Sequence, residues 1–194
     1  MFTAFNQQLL KYTHLSPEEL ERINQFYKPI TAPKKAMLLQ PGEVCRFEAV
    51  VAKGCLISYI SGENAQPLIL QFATENWWIS DITSFHEQKP SRMYIEALED
   101  CELLTLSLAD KEAMLKEFPR LERVFRLLLQ RNLGVYHERL FATVVQSAEQ
   151  RYQDFLERYP AIPQRVPQHL IAAYLGITPE FLSRIRQRQK LKKE

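Results

Sequence analysis

The sequence predicts an α+β protein with a β-rich N-terminal half and a helical C-terminal half. Between residues 29 and 108, short runs rich in valine, isoleucine and aromatic residues alternate with turn signals such as Pro41-Gly42 and Lys53-Gly54. Beyond residue 108 glycine almost disappears and helix-forming residues dominate. Prolines at positions 160, 163 and 167 then separate a last helical segment from the rest.

The strands of the N-terminal half have the number and spacing of a compact antiparallel sandwich or barrel. Before them, Ser16-Pro17-Glu18-Glu19 predicts a helix start, because serine caps a helix and proline suits its first position. A second short helix is predicted over 109–117. The predicted strands are Ala36–Gln40, Phe47–Ala52, Cys55–Ser61, Pro67–Ala73, Met93–Leu98 and Cys101–Ser107.

The composition predicts a folded cytoplasmic protein that is not an enzyme. Hydrophobic residues make up 46% of the chain, and no stretch has the length of a membrane-spanning helix. Cys45, Cys55 and Cys101 are scattered, so we expect small core residues in a reducing compartment and no metal site. The chain carries no Gly-rich phosphate loop and no nucleophile motif, so no catalytic residue is expected.

A proline-free stretch from residue 120 to 159 predicts a long helix that pairs two copies of the chain. Its apolar residues follow steps of three, four and seven, with Arg131 and Glu138 at polar places in the seam. The alternative is a single amphipathic helix packed on its own sandwich. The predicted seam residues are Leu121, Val124, Leu128, Val135, Ala142 and Val145.

The C-terminal segment is basic. Residues 151–194 carry nine lysines and arginines against four acidic residues, whereas the residues before them carry sixteen against nineteen. This asymmetry is typical of a terminus that binds nucleic acid, because cations near a phosphate backbone release condensed counterions. A solvated basic tail would produce the same asymmetry.

The segment from Pro167 to Gln187 matches a helix-turn-helix position by position. Small Ala172 permits the close approach of a second helix, and Gly176 supplies a left-handed turn residue. Thr178 is a natural N-cap for the second helix and Pro179 a natural first residue. An ordinary helical hairpin is the alternative. The predicted inner face is Ile171, Leu175, Leu182 and Ile185, with Ile177 in the turn.

The outward face of the second helix carries residue types that read double-stranded DNA. Arginine can pair two donors with guanine, glutamate can accept from the cytosine amino group, and serine can serve phosphate or base. Arg186, Lys192 and Lys193 extend the cationic surface toward the DNA backbone. The predicted DNA-contacting residues are Gln168, Thr178, Pro179, Glu180, Ser183, Arg184, Gln187, Arg188 and Lys190.

The chain resembles the Crp/Fnr family of bacterial transcription regulators over about residues 15–189. The resemblance implies a cyclic-nucleotide-binding-like antiparallel β-barrel of the jelly-roll type in residues 1–117, a long dimerisation helix in 118–147, and a helix-turn-helix domain in 148–194. It also implies a homodimer that binds DNA, RNA polymerase as a further partner, and base-reading roles for Glu180 and Arg184. The motifs that carry it are Pro41-Gly42-Glu43, Val51-Ala52-Lys53-Gly54, Phe118-Pro119-Arg120-Leu121 and Leu175-Gly176-Ile177-Thr178-Pro179-Glu180.

The effector site departs from the family's pattern. Members that bind cyclic AMP use a Gly-Glu-Leu segment and an Arg-Ser or Arg-Thr pair, where this chain has Ser80-Asp81-Ile82 and Ser91-Arg92. Because Arg92 would point to the opposite face of a strand, the usual cyclic-AMP binding mode is not expected. A register slip would instead return Arg92 to the pocket beside Asp81. The candidate residues for an unknown small-molecule effector are Trp78, Ser80, Asp81, Ser91 and Arg92.

The remaining aromatic residues, cysteines and histidines predict no cofactor. Trp77, Trp78, Phe85 and Tyr94 would line a ligand cavity or fill the barrel core, and we expect the core role. The clustered cysteines of the Fnr branch are missing, so no iron-sulfur cluster is expected. The histidines at positions 14, 86, 137 and 169 are dispersed, so neither haem nor metal ligation is expected.

The C-terminal end is the second departure from the family's pattern. Only residues 188–194 follow the recognition helix, so no two-stranded wing is expected. This feature favours an alternative function, a ligand-binding module that signals through protein contacts.

Overall fold

The computed structural model describes residues 1–61 and 67–191, with side chains described as far as residue 188. The chain divides into two compact units. The first consists of Met1–Tyr59 and Phe72–Gln130, and the second of Ile60–Gln71 and Arg131–Glu194. Within the described residues, no helix combines the length and the apolar content that a bilayer span requires.

The described residues form eight strands and nine helices. The strands are β1 (Lys28–Ala32), β2 (Met37–Leu39), β3 (Glu48–Lys53), β4 (Leu56–Ile60), β5 (Leu68–Ala73), β6 (Trp78–Ile79), β7 (Tyr94–Ala97) and β8 (Cys101–Leu106). The helices are α1 (Phe2–Leu10), α2 (Pro17–Asn24), α3 (Ile82–Glu87), α4 (Leu108–Glu117), α5 (Leu121–Val145), α6 (Ala148–Arg158), α7 (Ile162–Arg165), α8 (Gln168–Leu175) and α9 (Pro179–Leu191). The six predicted strands and the two predicted short helices are confirmed.

The strands form two four-stranded sheets, in the orders β1-β8-β3-β6 and β2-β7-β4-β5. The pairings β1/β8, β3/β8, β3/β6, β2/β7 and β4/β7 are antiparallel. The predicted α+β class with an antiparallel β-rich N-terminal region is therefore confirmed. Strand β1 escaped prediction because it contains Pro29, and the sheet accepts this proline because β1 is an edge strand.

Strand β3 is buried on both faces because it lies between two apolar layers. Ala49 and Val51 belong to a core cluster that joins both sheets, whereas Val50 packs with residues of α1, α2, α4 and α5. Neighbouring β8 does the same, with Leu103 in the first cluster and Leu104 in the second. The sheet that contains β3 and β8 therefore separates the core between the sheets from a helical layer.

A buried ion pair connects α4 to β3. The Lys111 Nζ donates to Glu48 Oε2 at 2.7 Å, and both residues are buried. The ammonium lies 4.5 Å from the ring centroid of Phe125. Loss of one partner from such a pair leaves an uncompensated buried charge, whereas replacement of both partners by neutral groups is often tolerated.

We expect Lys111→Met to lower the free energy of unfolding of the first unit by about 3–5 kcal/mol, because the buried Glu48 carboxylate loses its ammonium partner and keeps only the His86 imidazole, 3.8 Å away. The double variant Lys111→Met/Glu48→Gln should recover most of this loss. Both tryptophans of the chain, Trp77 and Trp78, lie in the first unit. Urea unfolding followed by tryptophan fluorescence therefore measures the stability of this unit.

The matched control is Lys89→Met, which removes an exposed ion pair between Lys89 and Glu87. Because exposed pairs contribute little, the urea midpoint of this variant should equal that of the wild type. A double variant as unstable as Lys111→Met alone would contradict the proposed energetics of the buried pair.

Candidate functional site

A tight turn at Gly176 joins α8 to α9. Gly176 has a φ of +68°, a conformation that residues with side chains rarely adopt. Its N–H donates to the Ala173 carbonyl at 3.2 Å, and the Ile177 N–H donates to the Ala172 carbonyl at 3.0 Å. These two bonds are those of a Schellman turn, which ends α8 and directs the chain into α9.

The inner faces of α8 and α9 are apolar, and the start of α9 is capped. The Phe181 N–H donates to Thr178 Oγ1 at 3.2 Å, and Pro179 occupies the first position of the helix. The predicted turn glycine, cap and inner face are therefore in place. The buried residues of the two helices are Ile171, Ala172, Leu175, Leu182 and Ile185, and Ile177 is half-buried.

The opposite face of α9 is polar and exposed. Pro179 is half-buried, and Lys190 lies in the last turns of α9, where side chains are not described. Lys192 and Lys193 lie outside the described residues. The exposed members of the predicted DNA-contacting set are Gln168, Thr178, Glu180, Ser183, Arg184, Gln187 and Arg188.

Three charged side chains of this face, Glu180, Arg184 and Arg188, interact with neighbouring groups. Hydrogen bonds from its own backbone N–H and from the Thr178 hydroxyl lower the pKa of Glu180, so its carboxylate stays an acceptor. The Arg184 guanidinium carbon lies 5.6 Å from the ring centroid of Phe181. Sequence analysis did not single out Phe181, although an aromatic residue in the first turn of the second predicted helix could have drawn attention to it.

Arg188, the third of these side chains, forms an exposed ion pair. The Arg188 Nη1 lies 3.1 Å from Glu149 Oε1, and both side chains remain largely accessible to solvent. Exposed pairs of this kind contribute little to stability. Arg188 therefore remains available to a stronger anionic partner.

Arg139 of α5 holds the last turn of α8 and the start of β5. Its guanidinium donates to the carbonyls of Ile69 at 2.6 Å, Leu70 at 2.9 Å and Tyr174 at 2.7 Å. It also lies 3.9 Å from the ring centroid of Tyr174. Burial lowers the pKa of the Arg139 guanidinium, yet an arginine remains charged in such surroundings.

A second arginine, Arg151, donates a hydrogen bond to the C-terminal end of α8. Arg151 of α6 donates through Nε to the Leu175 carbonyl at 3.3 Å and through Nη1 to the Gln146 carbonyl at 2.8 Å. The last carbonyls of a helix lack partners within it, and cations nearby also interact favourably with its dipole. Two arginines from different helices therefore fix the helix that precedes the Gly176 turn.

Two of the candidate effector residues in the first unit, Asp81 and Ser91, are joined by a hydrogen bond. The Asp81 carboxylate accepts from the Ser84 N–H at 3.1 Å and from the Ser91 hydroxyl at 2.7 Å. The Ser91 hydroxyl in turn accepts from the Met93 N–H at 2.9 Å. Asp81 thus caps α3 and binds a second segment of the same unit.

Neighbouring serines are also paired with protein groups. The Ser84 hydroxyl donates to the Lys89 carbonyl at 2.6 Å and accepts from the Cys45 N–H at 2.9 Å. The Ser80 hydroxyl donates to the Phe47 carbonyl at 2.9 Å. These hydrogen bonds join the segments around Asp81 to one another.

Ser91 and Arg92 face opposite ways. Ser91 is buried, whereas Arg92 is exposed. This difference agrees with the prediction in which Arg92 points to the opposite face, and not with the register slip that would return it to the pocket. The Arg92 guanidinium takes no part in the hydrogen bonds described around Asp81.

The aromatic residues near this site have partners in the core. Phe85 is fully buried between the two sheets, and Trp77 packs against the same cluster. Trp78 lies 5.4 Å from Phe125, centroid to centroid, in the helical layer. Tyr94 is half-buried in a neighbouring strand. Core packing thus accounts for Phe85, Trp77 and Trp78.

Helix α5 corrects part of the predicted dimer seam. Leu121 is 1% exposed and Val124 is 0% exposed, because both are buried in the core of the first unit. Neither can contact a partner helix. Leu128 packs half-buried against the same core, and Val135 and Ala142 are half-buried. Of the predicted seam residues only Val145 is exposed, and the other exposed apolar residues of α5 are Leu129, Leu133, Tyr136, Leu140, Phe141 and Val144.

Comparison with known protein families finds a match in the β-rich part of the chain. Residues 29–118 match the family model of the cyclic nucleotide-binding domain. The chain is also 31% identical, over 100 residues, to the transcriptional regulatory protein btr of Bordetella pertussis. That alignment covers 46% of this chain and 41% of the Bordetella protein, so the chain spans less than half of this relative.

Solved structures extend the similarity to most of the chain. The catabolite activator protein of Thermus thermophilus is 20% identical, with a TM-score of 0.60 over 96% of this chain and 88% of its own. FixK2 of Bradyrhizobium japonicum is 16% identical, with a TM-score of 0.76 over 86% of each chain. At these identities the likeness establishes the fold. Residues 29–118 are therefore similar to the cyclic nucleotide-binding domain, and the chain shares the fold of these solved structures.

Proposed function

We propose that the chain is a homodimeric, sequence-specific DNA-binding transcription regulator of the Crp/Fnr type. The observation that carries this proposal is the exposed polar face of α9, on a helix whose inner face packs against α8. An α-helix fits the major groove of B-DNA, where every base pair presents a distinct pattern of donors and acceptors. A two-fold dimer would place two such helices on half-sites about one DNA turn apart.

The side chains of this face have complementary roles. Arg184 can donate two hydrogen bonds to one guanine, and Glu180, ionised because its pKa is lowered, can accept from a cytosine amino group. Ser183 and Gln187 suit further base or phosphate contacts, and Arg188 suits a phosphate. At the N-terminus of α8, Gln168 can donate to phosphate. Lys190 would extend these backbone contacts.

Helix α5 offers the dimer contact. Leu129, Leu133, Tyr136 and Leu140 follow steps of four, three and four residues, the spacing of a coiled-coil seam. Leu133 is 54% exposed and Leu140 is 64% exposed in the single chain. A second copy of α5 would bury these residues along the same seam in a two-fold arrangement.

The hydrogen bonds around Asp81 argue against the usual cyclic-AMP binding mode. A cyclic phosphate needs a guanidinium or comparable donors, because a buried unpaired phosphate is costly. Here a carboxylate binds the serine hydroxyl at the position where the family's arginine would stand, and Arg92 is exposed. We therefore propose that DNA binding does not require cyclic AMP.

Replacement of Arg184 tests the DNA-reading face. Selection of genomic or random DNA fragments by the wild type should enrich a palindromic site, and Arg184→Ala should lose about 1–3 kcal/mol of discrimination at one guanine of each half-site. The measurement is fluorescence anisotropy with the selected site and with single-base variants, at two salt concentrations. Arg46→Ala removes an equal charge from an exposed site in the first unit and serves as the matched control.

Unchanged DNA selectivity in Arg184→Ala would remove the proposed base-reading role. If the wild type enriched no sequence and bound DNA only through a steep salt dependence, the α9 face would instead be a protein-contact surface or a basic tail. Equal losses in Arg184→Ala and Arg46→Ala would indicate general charge attraction.

Replacement of Leu140 tests the dimer seam. We expect Leu140→Glu to weaken the dimer by roughly a hundredfold or more, because a carboxylate buried in the seam would lack a partner. Sedimentation velocity should detect monomers, and affinity for the full palindrome should fall toward that for a half-site. Leu10→Glu changes an equally apolar but less exposed residue of α1 and should stay dimeric. A dimeric Leu140→Glu would place the interface elsewhere.

A cyclic-AMP titration tests the effector proposal. Calorimetry should detect no binding of cyclic AMP, and the affinity for the selected DNA site should be the same with and without the nucleotide. A regulator known to bind cyclic AMP, titrated in the same buffer, gives the positive control. Saturable binding together with an increase in DNA affinity would overturn the proposal.

A further inference from the structure

Phe181 is an exposed aromatic residue in the first turn of α9. Its side chain is 37% exposed, whereas the neighbouring apolar residues Leu182 and Ile185 are each 1% exposed. Its N–H is held by the Thr178 cap, which fixes the backbone at this point. Phe181 therefore lies at the edge of the core between α8 and α9, and about a third of the residue is accessible to solvent.

Phe181 shares one side of α9 with two arginines. Arg184 and Arg188 follow it by three and seven positions, a spacing that places the three side chains on one side of a helix. The Arg184 guanidinium carbon is 5.6 Å from the centroid of the Phe181 ring. An arginine over an aromatic face is attracted to it electrostatically. The apolar ring and the charged group therefore occupy adjacent positions on the face that would enter the groove.

The chemistry of the ring restricts what it can recognise. A phenyl ring has neither a hydrogen-bond donor nor a strong acceptor, so it cannot distinguish the polar edges of the bases. The apolar group in the major groove is the C5-methyl of thymine, which phenylalanine side chains are able to contact. Residues near the N-terminus of a recognition helix are those that reach base edges.

We propose, on the basis of the DNA-binding function above, that Phe181 is a specificity-determining residue that contacts the methyl group of a thymine adjacent to the guanine read by Arg184. The contact removes exposed aromatic surface from water, which is favourable in proportion to the area buried. The interaction between Arg184 and Phe181 aligns the two contacts on neighbouring base pairs.

The test uses the full chain and its own selected DNA site. Each thymine of the half-site is replaced in turn by deoxyuridine, which removes only the methyl group. Affinities are measured for the wild type, Phe181→Ala and Phe181→Leu. For the wild type, one deoxyuridine beside the Arg184-dependent guanine should weaken binding about fourfold, the factor expected for one buried methyl carbon. Phe181→Ala should bind the thymine and deoxyuridine sites equally, and Phe181→Leu should keep part of the difference.

The outcomes separate this proposal from the function on which it rests. If the wild type selects a site but no deoxyuridine weakens binding, or if Phe181→Ala retains the deoxyuridine loss, the thymine contact is wrong and DNA binding stands. If Phe181→Ala loses only guanine discrimination, Phe181 merely positions Arg184, and the proposal is again overturned. If the wild type selects no sequence, both proposals fail. Thermal unfolding checks the folding of the variants. The deoxyuridine series with the wild type alone still shows whether the protein contacts a thymine methyl group.

Discussion

The second compact unit depends on one guanidinium, that of Arg139. Three backbone carbonyls, two from β5 and one from α8, accept hydrogen bonds from this group, while its face lies on the Tyr174 ring. A lysine could not replace it, because an ammonium lacks the planar fork and the flat surface that these contacts require. Since α8 leads directly into the Gly176 turn, whatever holds the end of α8 also sets the position from which α9 begins.

The turn between α8 and α9 could be predicted from sequence because its causes are local. A glycine in the left-handed region, a threonine cap and a proline at the first helical position each act within a few residues. The role of Arg139 could not be predicted in this way. Its acceptors lie 35 to 70 residues away in the chain. From sequence alone, an arginine within a helix is therefore expected to be exposed to solvent.

The α5 seam was predicted only in part, for a physical reason. A repeat with apolar residues every three or four positions shows that one side of a helix is buried, but not whether the same chain or a second chain buries it. At the start of α5 the answer is the chain's own core, which takes Leu121 and Val124. Later along the helix Leu133 and Leu140 remain accessible. The predicted alternative of a packed amphipathic helix therefore holds for the start of α5, and the dimer helix stays a proposal for its later part.

The effector site shows a similar division between what local pattern determines and what the fold adds. Alternation along an extended segment correctly predicted that Ser91 and Arg92 would face opposite ways. It could not show that Ser91 would bind Asp81, ten residues earlier, or that the same carboxylate would cap α3. This bond has a chemical consequence for the candidate effector site, because the Ser91 hydroxyl already donates to a carboxylate and neither group is left to donate to a phosphate. An effector of this domain would have to be neutral or cationic near Asp81, or it would have to displace these bonds.

In the proposed complex with DNA, the α9 face would balance charge attraction against base recognition. Affinity that comes from phosphate contacts alone is independent of sequence and falls steeply with salt. Glu149 lies beside Arg188 and Glu180 lies on the helix itself, so acidic groups offset part of the cationic surface. Because the Arg188–Glu149 pair is exposed and weak, a well-placed phosphate can take the place of Glu149 as the partner of Arg188. A DNA segment bound in a wrong register would gain little from this exchange. In the proposed complex, selectivity then depends on contacts that require the correct base, which are the guanine contact proposed for Arg184 and the methyl contact proposed for Phe181.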